Sequence, residues 1–153
     1  MEKLDSLNQV ADFHTTFGHP IVPHPAMPAS ERAALRISLL REELEELEEA
    51  VKNNDLVEVA DALCDLQYVL SGAVLEFGMG NKFKTLFDEV QRSNMSKACK
   101  TITEAEETIA HYKMKGTDSF YEEKDGLYLV YRVGDRKTLK SVYYSGANLK
   151  GLL

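Results

Sequence analysis

The chain has 153 residues, is 44% hydrophobic and 28% charged, and carries a net charge of −7. That size and composition suit one soluble domain with an adequate core, and the acidic balance argues against a general nucleic-acid footprint. Two cysteines, Cys64 and Cys99, provide no disulfide framework, no apolar run reaches the length of a membrane span, and no signal-peptide pattern opens the chain, so a reducing cytoplasm and no membrane partner are expected.

The first predicted helix runs from Glu2 to Phe17, with Leu4, Leu7, Val10, Ala11 and His14 at helical spacing and Gly18 ending it. All four prolines then fall between Pro20 and Pro28, which predicts an extended loop. Ser30 is the expected N-cap of a helix reaching about Asn53, and Asp55 that of a helix reaching about Phe77. The turn Lys52-Asn53-Asn54-Asp55 is short, so these two helices should be antiparallel neighbours. A fourth helix is expected from Lys82 to about Ser96. A fifth should follow Thr103, where Thr103-x-x-Glu106 has the form of a capping box. Beyond Gly116 the pattern turns β-prone. Phe120-Tyr121 and Leu127-Tyr128-Leu129-Val130-Tyr131 flank the hairpin signal Asp125-Gly126, and a turn at Gly134-Asp135 precedes Thr138 to Tyr144. The expected architecture is an all-α helical bundle with a small C-terminal antiparallel β extension. Its domain division is a helical domain over 1–115 and a β-rich extension over 116–153 packed on the same domain.

Two acidic clusters lie on the second and third helices. The first is Glu42-Glu43-Leu44-Glu45-Glu46, and the second is Glu58-Val59-Ala60-Asp61 with Asp65 one turn later. Carboxylates three and four apart share a helix face, and two such faces set opposite each other make a cage of hard oxygen donors suited to Mg2+ or Mn2+. From Val57 to Leu75 the helix is apolar nearly all round, and Glu58, Asp61 and Asp65 share an arc of roughly 60°. A helix apolar on most faces is normally buried, and buried carboxylates need a counter-charge. The bland alternative is an exposed acidic stripe. On the preceding helix, Leu40, Leu44, Leu47 and Val51 form the expected apolar stripe, with Glu43 and Glu46 on the side of Leu39 and Ala50. Glu42 lies further round as an accessory carboxylate. Glu45, Glu48 and Glu49 fall across or away and are expected to be solvated. Cys64, on the apolar helix, reads as a small core hydrophobe.

The run Leu39-Leu40-Arg41-Glu42-Glu43-Leu44-Glu45-Glu46-Leu47, followed by Glu58-Val59-Ala60-Asp61-Ala62-Leu63-Cys64-Asp65, resembles the all-α nucleoside triphosphate pyrophosphohydrolases. These include the MazG-like proteins, the dimeric dUTPases and phosphoribosyl-ATP pyrophosphohydrolase. Their hallmark is E-E-x-x-E, a short spacer and E-x-x-D. The run Glu89-Val90-Gln91-Arg92-Ser93-Asn94-Met95-Ser96-Lys97 is similar to a second segment of a MazG-like subgroup, and Ala11-Asp12-Phe13-His14 and Tyr68-Val69-Leu70-Ser71-Gly72 fit the same pattern. The resemblance covers residues 5 to 100 and implies a Mg2+-dependent enzyme, with Mn2+ as a substitute, that cleaves a nucleoside triphosphate to monophosphate and pyrophosphate. By motif position Glu43, Glu46, Glu58 and Asp61 would hold the metal, and Glu42 would orient or deprotonate the attacking water. Asn94 and Lys97, with Arg92 and Asp65, would contact the nucleotide or its phosphates. It also implies paired bundles, so a homodimer or a dimer of dimers is expected. The bland reading of Arg92, Lys97 and Lys100 is a basic helix end favoured by the helix dipole. Residues 116–153 lie outside the pattern.

Among the histidines, His14 reads as a core or interface residue, while His19 and His24 lie in the proline loop within reach of a base or sugar. The absence of Glu-x-x-His from the acidic helices argues against a di-iron site, and no P-loop or G-x-S-x-G sequence is present. Three functions are compatible with the residues: a pyrophosphohydrolase, with house-cleaning toward non-standard or deoxynucleotides as one such role; phosphoribosyl-ATP pyrophosphohydrolase itself; and a catalytically silent metal- or nucleotide-binding oligomerisation module.

Overall fold

The computed structural model describes residues 2–153, and its chain order is five helices followed by a two-stranded antiparallel sheet among the described residues. The helices are α1 (Ser6–Phe17), α2 (Ser30–Lys52), α3 (Leu56–Glu76), α4 (Phe83–Met95) and α5 (Ile102–Met114), and the strands are β1 (Ser119–Lys124) and β2 (Leu127–Arg132). Among the described residues no helix is long and apolar enough to cross a membrane. The chain divides into two compact units, one ending at Phe83 and one running from Lys84 to Leu153.

In the first unit α3 packs against both α2 and α1. The α2–α3 turn is closed by two interlocked caps. Asn54, at φ 54°, donates its N–H to Val51 O at 3.1 Å, and Asp55 donates to Ala50 O at 3.0 Å, which is the double bond pattern of a Schellman end. The Asp55 carboxylate then accepts from Val57 N at 3.0 Å and Glu58 N at 3.2 Å, so it also caps α3 as expected. Ser30 does not cap α2. It is the first helical residue, and Ala29 stands at the cap with no side-chain bond.

The far end of α2 and α3 is held by a buried polar cluster that the hydropathy pattern does not announce. Glu76, 1% exposed, accepts from Arg32 Nη2 and Arg36 Nη2, with Arg32 Nε at 3.0 Å. Arg36 Nη2 also lies 3.2 Å from His14 Nε2, while His14 Nδ1 lies 2.9 Å from Pro20 O. A neutral His14 protonated at Nδ1 satisfies both contacts, donating to Pro20 and accepting from Arg36. Gly72 makes room for this cluster: a Cβ there would stand 2.8 Å from Arg36 Nη1 and 3.1 Å from His14 Nε2. The proline loop caps the end of α3, with Val22 N bonding Leu75 O at 3.0 Å and Ala26 N bonding Phe77 O at 3.1 Å. Gly78 (φ 69°) lets it lie close, since a Cβ would sit 1.9 Å from His24 O.

Two burial expectations are corrected. α3 is continuously buried only from Ser71 to Glu76, whereas Leu56 and Val57 are 80% and 75% exposed and Leu63, Leu70 and Cys64 are exposed as well. Cys64 is therefore not a core residue. On α2 the inward stripe is Arg32, Arg36, Leu39, Glu43, Leu47 and Ala50, leaving Leu44 and Val51 exposed, because each stands about 100° further round the helix than Glu43 and Ala50.

In the second unit α5 packs on both strands over a core of Cys99, Ala105, Val130 and Leu139. Thr101, not Thr103, caps α5: its hydroxyl accepts from Glu104 N at 3.1 Å, while the Glu104 carboxylate accepts from Lys100 N at 2.7 Å. The hairpin turns at Asp125 and Gly126, both at positive φ, as the I′ signal requires. Thr138 to Tyr144 does not form a strand. Thr138 makes an isolated bridge to Tyr131 and Leu139 N reaches Val130 O at 2.8 Å, but Ser141 N then turns to Lys97 O at 3.1 Å.

The His14–Arg36–Glu76 cluster makes stability acid-sensitive in two steps. Burial pushes the His14 pKa down, so stability falls as pH drops below about 6.5, where the unfolded imidazole gains its proton first. Burial pushes Glu76 up, but the two guanidinium partners outweigh it and hold the carboxyl below its ordinary value, so its contribution is present above about pH 4.3 and lost below that. Urea denaturation between pH 7.5 and pH 3.5 should show both steps, and Glu76→Gln should cost about 3–5 kcal/mol at pH 7 while removing only the lower step.

Candidate active site

The short α2–α3 turn brings the two acidic clusters face to face within the first unit. Glu43, on the inward stripe of α2, is half-buried, whereas Glu42, Glu46, Glu58, Asp61 and Asp65 are exposed. The carboxyl of Glu43 is pushed above its ordinary value by burial first, then by the negative charges of Asp65, Glu46, Glu42 and Asp61. Four carboxylates from the two helices therefore act on Glu43. The repulsion does not come from deep burial of α3, as the sequence suggested. It comes from like charges held together at the seam between two helices.

Glu58 sits nearer the turn. With Glu46, Glu49 and Asp55 it lines an open cleft of about 440 Å³. Antiparallel packing accounts for the order: moving along α2 from Glu43 to Glu46 is moving along α3 from Asp65 toward Glu58. Glu46 belongs to both groups and links them. Glu49, which helical spacing points away from the core, also lines this cleft, because the α2 end turns it toward Asn53 and Asp55.

The donor set is carboxylate oxygen only, which fits a hard divalent cation and no soft metal. Burial and four neighbouring carboxylates disfavour the charged form of Glu43, a penalty that a bound cation would relieve. Among the described residues, no three acidic, histidine or thiol groups are already drawn together as a closed ligand set.

One turn from the acidic seam lies an aromatic cavity of about 250 Å³. Leu39, four residues before Glu43, and Tyr68 and Val69, three and four after Asp65, line it together with Phe13, His14 and His19. His19 stacks on the Phe13 ring at 5.7 Å and 20°, and Tyr68 meets it edge-on at 5.6 Å. His14 is a core residue at the cavity wall, and His19 reaches the cavity. His24 is exposed, and its backbone packs on Gly78.

Arg92, Asn94 and Lys97 lie in the second unit. Arg92 pairs with Glu89 through Nε at 2.7 Å and Nη2 at 2.9 Å, and also donates to Gly146 O at 3.0 Å. Lys97 Nζ donates to Asn94 Oδ1 at 2.8 Å. Arg92 is thus engaged by its own unit, while Lys97 has no carboxylate partner among the described residues.

Sequence reasoning missed Arg32, Arg36 and Glu76. The local traces are a lone glutamate, Glu76, within the apolar run Val69 to Phe77 and two arginines four apart on the stripe that carries Leu39 and Glu43, and neither reports that they pair.

Comparison with known proteins bears on this site. Along 99% of its length the chain is 25% identical to "Uncharacterized protein L479" of Acanthamoeba polyphaga mimivirus, covering 97% of that protein. The family model described as phosphoribosyl-ATP pyrophosphohydrolase matches residues 10–94, more than half of the chain. The matched span holds the aromatic cavity, both acidic clusters and the buried Arg32–Arg36–Glu76 clamp. The chain belongs to the phosphoribosyl-ATP pyrophosphohydrolase family, within the MazG-like all-α superfamily, whose members are hydrolases of a nucleotide pyrophosphate bond.

Proposed function

We propose that the protein is a Mg2+-dependent nucleoside triphosphate pyrophosphohydrolase that releases the nucleoside monophosphate and pyrophosphate. The observation that carries this reading is the convergence of Glu42 and Glu46 of α2 and Asp61 and Asp65 of α3 on the half-buried Glu43, inside the span that matches the family. Glu43, Glu46, Glu58 and Asp61 would hold the cation. When bound, it would neutralise phosphate charge and lower the barrier to water attack.

The chain's own groups divide the remaining work. Glu42 is exposed beside the ligand carboxylates, so it can hold a water and accept its proton without giving up a metal bond. Phe13, His19 and Tyr68 offer ring faces to a nucleobase, which places the phosphates toward Glu43 and Asp65 one turn away. Asn94 and Lys97 are assigned to the nucleotide phosphates by their motif, with Lys97 as a point charge. Arg92, held by Glu89 and Gly146, positions that segment. A house-cleaning role toward non-standard or deoxynucleotides is the physiological setting of this reading. The chain is further proposed to act as a homodimer. The exposed Leu56, Val57 and Leu63 of α3 and Leu44 and Val51 of α2 continue the helix pair that carries the site, and a second copy presents the same apolar side chains to them. Light scattering at micromolar concentration should give twice the chain mass, and an active monomer would refute the pairing.

Phosphorus NMR of a turnover mixture tests the reaction directly. With Mg2+ and a panel of ribo- and deoxynucleoside triphosphates plus phosphoribosyl-ATP, at least one triphosphate should yield pyrophosphate. Stepwise orthophosphate release, or turnover of phosphoribosyl-ATP alone, would overturn the proposed substrate class. No turnover of any member would favour the silent binding module.

The crowding at Glu43 makes a separable forecast. Glu43→Gln should raise the melting temperature of the metal-free protein by removing one of five repelling charges, and should lower the further rise that Mn2+ produces. Its turnover, and that of Glu46→Gln and Asp61→Asn, should be abolished. Glu42→Gln should lose about 10²–10⁴-fold in kcat with a smaller loss of Mn2+ affinity. Glu45→Gln should be close to wild type. Calorimetric Mn2+ titration with steady-state kinetics on each variant measures all of these.

A further inference from the structure

The C-terminal segment lies beyond the family-matched residues, yet within the second unit it is laced to the α4 end. Ser141 N bonds Lys97 O at 3.1 Å, Ser145 N bonds Ser96 Oγ at 3.0 Å, and Asn148 N bonds Glu89 Oε1 at 2.8 Å. At the centre, Tyr144 Oη lies 2.8 Å from Ser93 Oγ, and Lys140 Nζ stands 4.3 Å from the Tyr144 ring centroid. The Tyr144 phenol is held below its ordinary pKa by the Ser93 hydroxyl first, and then by Lys140, Lys97 and Arg92. Either hydroxyl can donate in that bond, and in the arrangement where Ser93 donates, the phenolic O–H is turned outward to a further acceptor.

This concentration of cations runs against the composition of a chain with net charge −7. Among the described residues neither Lys97 nor Lys140 has a carboxylate partner, and Glu89 is already engaged by Arg92 and Asn148 N. The adjoining cleft, about 500 Å³, adds His111 and Lys115 and is lined by no acidic residue. A helix C-terminus presents only about half a negative charge, too little to account for Lys140, Lys115 and His111 gathered with Tyr144 at one cleft.

We propose that Lys97, Lys140 and the Tyr144 hydroxyl form a binding site for a phosphate group, with the C-terminal tail supplying two of the three groups. The ammonium groups of Lys97 and Lys140 bring charge, and the phenol brings a directed donor. The proposal rests on the proposed function only for the source of the phosphate, which is either the substrate's own phosphate chain or a separate phosphorylated anion.

The test uses the full chain and inorganic pyrophosphate as probe, in chelator so that no divalent cation engages the acidic seam. Calorimetry should show saturable, salt-sensitive binding. Lys140→Gln should weaken it about tenfold and Tyr144→Phe severalfold, with Lys124→Gln in the hairpin turn as an unaffected control and circular dichroism confirming the fold. A kinetic arm identifies the source. A raised KM with kcat preserved in Lys140→Gln assigns the site to substrate phosphate, whereas an unchanged KM with lost sensitivity to added pyrophosphate assigns it to a separate anion. Wild-type binding of pyrophosphate by both variants, or none by the wild type, would overturn the proposal. Because the binding arm needs no turnover, it stands apart from any failure of the proposed reaction.

Discussion

Like charges at the α2–α3 seam repel, and the fold holds them there by fastening the two helices at both ends. At the turn, the Schellman bonds from Asn54 and Asp55 run directly into the Asp55 cap of α3. At the other end, Arg32 and Arg36 of α2 grip Glu76 of α3. The carboxylates lie between these two clamps. A cap contributes about 1 kcal/mol, whereas removing one partner of the buried pair costs about 3–5 kcal/mol by leaving a buried charge unpaired, so the arginine–glutamate clamp is the fastening least tolerant of change. Without it the seam could open and relax the field at Glu43.

The same clamp shapes the aromatic cavity. Arg36 touches His14, His14 reaches Pro20, and the residues after Pro20 bond to the last carbonyls of α3. α1, the proline loop, α2 and α3 thus meet at one polar cluster, with Phe13, His19 and Tyr68 stacked over it. The proline-rich stretch is ordered by its N–H groups between prolines, and Gly78 and Gly72 are small because backbone and guanidinium lie against them. The acidic seam and the cavity are successive turns of one helix pair.

Much of the fold was legible because its signals are local. Helical spacing, Gly18, the Asp55 cap and the Asp125-Gly126 turn each act within a few residues. Thr101 was mistaken for Thr103 because two threonines, each followed by a glutamate three residues on, overlap there. Thr138 to Tyr144 reads as a strand by side-chain preference, but its backbone is claimed by Lys97. The candidate site was legible in its carboxylates, since i, i+3 and i+4 spacing is a local property. The buried partnership of Arg32 and Arg36 with Glu76 spans 44 and 40 residues, and no local pattern reports it. The apolar circumference of α3 was read as burial and as a face for a second copy, and this chain by itself covers only the C-terminal turns.

The central claim is that the seam between α2 and α3 is a divalent-cation site serving phosphate chemistry. Crystals grown with MnCl2 and measured at the manganese absorption edge test it most directly. The account predicts an anomalous peak bounded by Glu43 and Glu46 of α2 and Glu58 and Asp61 of α3, lost in Glu43→Gln crystals. A manganese peak elsewhere with none at the seam, or a seam peak unaltered in Glu43→Gln, would contradict it.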